Sequence, residues 1–517
     1  MLLSFLAAFA QQDTAKNRIQ VIHADVFRFE RTGGKEIQYL SRDVLVRHKN
    51  SYLLCDSAII DGNKMLAMGH VRIVEGDSLQ IFGDSLKYDG DQLLADFIGN
   101  IVLKHKTQEL FTNLMRYDLK NRVASYFDKG VLFSESTQLK SNRGYYYAKT
   151  GHAYFKDSVV VLMPDSMVLL SDSLVYETKN KLVRFTGPTL IEQDSLQIYC
   201  EAGYYNVEKQ RSYFGNYPRY QRGSQKADAR DIFHDAKNRI ITLVHEAYIR
   251  DDKQEARADS IVFNEATQDV KLFRKASYKE GDRELIGEHI EYNRKTKSLH
   301  VFGKTSVTEA GRTIDALRLD YDGVRDLGLA TGNVVVNDTV SGYSIYSDTF
   351  YYSKSNSSYR ALGGKQRAYI ATAFDNDSLF LSADSLLSKK QTEANDTFQV
   401  LYAWGDVRIW SPKLQGLCDS LYYSGKDSIF YLFDDPVLWS DTSQFTGDTI
   451  WLAMARKSLK DIYLRQDAFI INHEQVEMEN QLKGREIQAH FDQKKIRFMD
   501  VQGNAESVYF IQDADKG

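Results

Sequence analysis

Eleven histidines, three cysteines and a recurrent Asp-Ser pair are the residues whose chemistry first invites attention. The histidines lie at 23, 48, 70, 105, 152, 234, 245, 289, 300, 473 and 490, without an HExxH helix or a Cys/His cluster at zinc-ligand spacing. The Asp-Ser pairs fall at 56–57, 84–85, 172–173, 259–260, 384–385 and 419–420. A catalytic serine works with one base and one set of oxyanion donors, so an Asp-Ser copied along a chain reads as structure. No Walker A or GxGxxG sequence occurs, nor the Gly/Asp-rich nonapeptide of calcium β-rolls. The residues predict no enzyme, no metal and no cofactor.

The Asp-Ser pairs mark a repeat. Its clearest copy is LQIFGDSLKYDGDQLLADFIGNIVL at 79–103. Positions aligned with Asp84 are Asp25, Asp56, Asn113, Asn142, Asp172, Glu201, Arg230, Asp259, Glu288, Leu317, Asp348, Asp384, Asp419, Asp448 and Arg485. From Asp172 to Leu317 every step is 29 residues. A period in this range that fills the chain means a repeat array. Cys55, Cys200 and Cys418 each directly precede such an anchor, in different repeats. Neighbouring strands lie about 4.8 Å apart and a disulfide needs Cα atoms within about 7 Å, so the three read as small buried side chains.

Each copy alternates apolar and polar residues, the mark of a half-buried strand. The alternation changes parity at the anchor: Leu79, Ile81 and Gly83 before Asp84, then Leu86 and Tyr88 after it. Ile314 and Ala316, then Leu319 and Tyr321, do the same. A flip inside a strand needs one extra residue, as a bulge or corner supplies. The residue before every anchor is small, which suits the inner side of a bend. A second corner is expected at Gly99-Asn100, Gly215-Asn216, Gly332-Asn333, Gly405-Asp406 and Gly503-Asn504.

The reading is an all-β, elongated jelly-roll of repeats: a V-shaped antiparallel meander with about two bent strands per 29 residues. A parallel β-helix is the alternative, since a bent rung can return the chain to its start. Proline is scarce (5), and tyrosine (32) and phenylalanine (27) are abundant, which favours strands. Lysine plus arginine (66) nearly balances aspartate plus glutamate (70), which argues against a nucleic-acid partner. Residues 1–12 read as a signal peptide, possibly truncated, with Ala8-Phe9-Ala10 as the cleavage signature. Residues 13–517 then form one continuous array, with polar loop insertions near 353–366, 388–398 and 470–483.

LQIFGDSLKYDGDQLLADFIGNIVL and GLATGNVVVND resemble the OstA-like family, which includes the periplasmic bridge protein of lipopolysaccharide transport and domains preceding the barrel of the outer-membrane translocon. The resemblance covers residues 18–510. It implies a non-catalytic periplasmic jelly-roll, bridging inner and outer membranes, that carries lipopolysaccharide along an apolar groove with headgroups at an open seam. Similar jelly-roll components would add to its edge strands at either end. The family's usual bridge subunits are much shorter, so this chain is expected to span alone what others cover by oligomerising, without the translocon's barrel. The inward positions expected to meet acyl chains are Ile81, Leu86, Phe97, Ile101, Leu103, Phe185, Ile261, Phe263, Ile290, Val301, Leu319, Val334, Val336 and Phe350. Two rivals are a structural β-solenoid or fibre of the cell envelope without ligand, and a sugar-processing β-helix enzyme. The second would need acidic and basic side chains clustered on adjacent rungs, and the repeat-matched polar positions vary too much to supply them.

Overall fold

The computed structural model describes residues 18–510 apart from 77, 375, 394–395, 476–477 and 493–494. The expected leader therefore lies outside the described residues. Strands fill almost all of the rest, with one short 3-10 turn at Pro164–Ser166. The chain divides into two compact units, Met1–Asp252 and Lys253–Gly517.

In the N-terminal unit Lys35–His48, Ser51–Asp61, Lys64–Glu75, Leu79–Asp89, Leu94–His105 and Gln108–Asp118 form an antiparallel meander. In the C-terminal unit Gln254–Asn264, Asp269–Glu280, Arg283–Asn293, Ser298–Glu309, Arg312–Asp322, Leu327–Asp338 and Tyr343–Ser353 do the same. The antiparallel meander displaces the β-helix alternative. Many turns are closed by an Asp or Asn five residues after the anchor. Asp89 Oδ1 accepts the N–H groups of Asp91 and Gln92, Asn293 Oδ1 those of Lys295 and Thr296, and Asp322 Oδ1 those of Val324 and Arg325. Such side chains cap turns in place of backbone partners.

The parity flip is a bulge. Pairing of Leu79–Asp89 with the next strand slips between Phe82 and Ser85, on either side of Gly83 and Asp84, and Leu94–His105 slips between Ile98 and Ile101. There Gly99 and Asn100 both take positive φ, 80° and 43°. The same left-handed pair recurs at Gly332-Asn333, Gly405-Asp406 and Gly503-Asn504, and without glycine at Arg42-Asp43, His245-Glu246 and Arg274-Lys275. At the expected Gly215-Asn216 corner the pair sits one residue later, at Asn216-Tyr217. Asp84 faces outward and accepts a hydrogen bond from Asn100 Nδ2 at 2.8 Å, and Glu201 accepts one from Asn216 at 2.8 Å. The anchor's own N–H reaches a carbonyl at the neighbouring corner, as from Asp384 to Trp404 at 3.1 Å. Thus groups freed at these bulges find partners at the corners.

Two of the insertions expected as loops are strand. Ser385–Glu393 pairs with Asp396–Ser411 out to Glu393 and Asp396, and Ser458–Gln475 with Met478–Asp492 out to Gln475 and Met478. Near 353–366 a short strand, Ser358–Leu362, pairs back on Tyr343–Ser353. Polar residues on both faces read as loop in sequence, yet a hairpin that pairs with itself satisfies its backbone without a core.

Inside the bend, small residues are obligatory. A Cβ on buried Gly287 would lie 2.5 Å from Val301 Cγ1. Gly287→Glu is expected to destabilise the chain by roughly 1–3 kcal/mol through overpacking alone, while Glu288→Gln on the exposed side stays within about 0.5 kcal/mol. Urea melts of the two variants check this.

Candidate functional site: the inner face and its mouth

All fourteen inward candidates are buried, with exposures of 0–7%. The N-terminal unit brings together Ile81 opposite Leu103 and Leu86 opposite Phe97, with Ile101 beside them. Phe185 stacks on Phe214 at 6.4 Å further along. In the C-terminal unit Ile261, Leu272, Ile290, Val301, Leu319, Ala330 and Phe350 stand in register across seven strands. Val336 lies between Ile314 and Ile345 in the other inner row, with Val334 on the same strand, and Phe263 faces Val270. Rows like these offer a hydrocarbon surface and no hydrogen-bonding group, which suits aliphatic matter. Their exposures of 0–7% show these side chains to be enclosed by the rest of the protein.

The corners divide each strand into two halves, and the hairpin turns form two lips. In the N-terminal unit one lip follows His48, Glu75, His105 and Ser134; the other follows Asp61, Asp89, Asp118, Tyr147 and Glu177. In this unit side chains reach from lip to lip and close the seam between them. The Tyr88 hydroxyl meets His48 Nδ1 at 2.6 Å, Tyr117 donates to Glu75 at 2.6 Å, Tyr146 meets His105 Nδ1 at 2.6 Å, and Tyr176 meets Ser134 at 3.2 Å. Each pair is 40–42 residues apart in sequence. Ion pairs run beside them, Arg122 to Glu75 at 2.9 Å and Lys181 to Glu135 at 3.0 Å.

Burial raises the Tyr88 and Tyr117 phenols, with Glu75 adding to the rise at Tyr117, and pushes Tyr146 up to about 12. Burial, then the Lys106 and Arg122 cations, holds the His105 imidazole below its usual value. These contacts were missed in the sequence because their residues sit far apart. The available signal was a tyrosine four residues after the anchor, where leucine or phenylalanine would fill the same inner row.

In the C-terminal unit the lips meet differently. Lys354 pairs with Glu309 at 2.5 Å, and the Arg283 guanidinium lies 5.5 Å from the Tyr321 ring centre. Further along, Leu379, Leu381, Ile409 and Leu414 face Phe430, Leu452 and Met454 across a narrow, wholly apolar cleft.

The cysteines lie where the repeat places them, buried and free. Burial raises the thiols to about 11 at Cys55 and about 12 at Cys200 and Cys418. Because the thiolate is the nucleophile, iodoacetamide at pH 7.5 is expected to leave all three unmodified in the native chain and to alkylate all three in urea. Mass spectrometry of the intact protein counts the adducts.

Residues 16–168 match a family model described as OstA-like protein. Residues 138–298 match one described as LptA/(LptD N-terminal domain) LPS transport protein. No curated protein matches the chain. With the bent antiparallel strands and their repeated corners, these overlapping matches make residues 16–298 similar to the OstA-like and LptA/LptD N-terminal domains of lipopolysaccharide transport.

Proposed function

We propose that this protein is a non-catalytic periplasmic bridge that carries lipopolysaccharide from the inner membrane toward the outer membrane, with acyl chains held between its inner apolar rows. The carrying observation is the unbroken register of inward aliphatic and aromatic side chains, seven strands long from Ile261 to Phe350. Nothing polar interrupts that row, so an acyl chain could slide along it without crossing a desolvation barrier.

Edge strands supply the means of joining similar jelly-rolls. Among the described residues, Gln20–His23 and Val26–Thr32 pair only with Lys35–His48. Phe27 and Phe29 occupy inward positions of the repeat yet are 53% and 48% exposed. At the other end Lys495–Gln502 and Glu506–Val508 pair only with Met478–Asp492. An unpaired edge with exposed core-type side chains suits strand addition by another protein of the same architecture.

The enclosed interior favours a second reading, a structural β-rod of the envelope that carries nothing. Photocrosslinking amino acids at Ile261 and Val334 separate the two. Labelling by lipopolysaccharide in cells is the expected result; crosslinks to protein alone would replace the bridge with the rod.

A further inference from the structure

The closed mouth of the N-terminal unit is the feature that a carrier must reckon with, and this inference rests on the carrier reading. We infer that the contacts between its lips form a row of latches, and that a ligand enters this stretch of the inner face by parting the lips.

The row is regular. Tyr88, Tyr117, Tyr146 and Tyr176 all stand four residues after an anchor, and each hydroxyl reaches a polar group at the far end of a strand on the opposite lip. Lys181 and Arg122 repeat the crossing with ion pairs to Glu135 and Glu75. The inner face of this stretch includes Leu132, Leu139, Phe155, Val161 and Leu169, all buried.

Two physical features make such a seam openable. First, the halves of the sheet meet along the corners, where pairing slips at each bulge, as between Lys156 and Val159. Beside it two short strands, Thr137–Ser141 and Arg143–Tyr147, take the place of one, so the bend is a line of local breaks in the ladder. Second, the latch groups are polar. When the lips part, water replaces each lost hydrogen bond, so the net cost of opening is small beside the bond's strength in isolation. A seam of leucine and phenylalanine would expose hydrocarbon on opening, as the apolar lips at Leu381 and Phe430 of the C-terminal unit would.

The test uses the full chain with p-benzoylphenylalanine in place of buried Phe155 and purified lipopolysaccharide as the probe. Lys181→Glu sets like charge against Glu135 and is expected to raise the initial rate of photolabelling at least threefold. Exchanging the charges with Glu135→Lys in the same chain should return the rate to that of the parent. Glu135→Cys with Lys181→Cys, bridged by a short bis-maleimide, should label at least tenfold more slowly than the unbridged pair; the buried native thiols stay out of the reaction. Equal labelling with and without the bridge, or no effect of Lys181→Glu, would overturn the latch while leaving the carrier standing. Absence of lipopolysaccharide labelling from every variant, the opened one included, would overturn the carrier and the latch together.

Discussion

Everything in this molecule depends on bending a β-strand inward without leaving its backbone unsatisfied. A bend breaks the hydrogen-bonded ladder, and unpaired buried amides are costly. At most repeats the protein meets this with two consecutive left-handed residues on one strand and, Leu317 excepted, a polar anchor on its neighbour. A left-handed residue with a side chain is costly on its own, by about 1–2 kcal/mol. Glycine, asparagine and aspartate reduce that cost, and the anchor recovers part of it: Asn100 to Asp84, Asn216 to Glu201, His70 to Asp56 at 2.8 Å. At Gly99 any Cβ would also run into the Asp84 carboxylate. Anchor and glycine are therefore two halves of one device, 15 residues apart.

Much of this was legible in the sequence, because the device is local and repeated. The parity change at Asp84 located the bulge, and the small residue before it located the inner side of the bend. The fourteen inward positions followed from alternation alone. What stayed hidden has a common cause. The hydroxyl of Tyr146 and the imidazole of His105 meet only because two lips, built from strands that are not neighbours, face each other. Nothing within a strand's length announces that contact. The polar stretches at 388–398 and 470–483 misled for the opposite reason: a hairpin beyond the core keeps strand geometry but loses the alternation by which strands are recognised.

The family matches and the interior pull in different directions. The likeness of residues 16–298 to lipopolysaccharide-transport domains points to a lipid ligand, whereas the inner rows are shielded by the protein's own side chains. The two agree if the shielded state is the resting one. Enclosed apolar rows keep out water while no ligand is present, and the same surfaces can separate around a hydrocarbon chain at little cost, since one apolar contact replaces another. The polar lips then guard a surface that would otherwise invite aggregation.

Within each unit the strands pair with close neighbours in the meander, and no inner row needs a residue from far along the sheet. In such an array stability is the sum of modules and their interfaces. Removing one module, or duplicating it, leaves the edge strands at both ends chemically unchanged. Reach can accordingly be adjusted in steps of two strands, about 10 Å each time, like a ruler cut to length. On the bridge reading proposed above, the number of modules can then be matched to a compartment's width without altering the edge strands at either end.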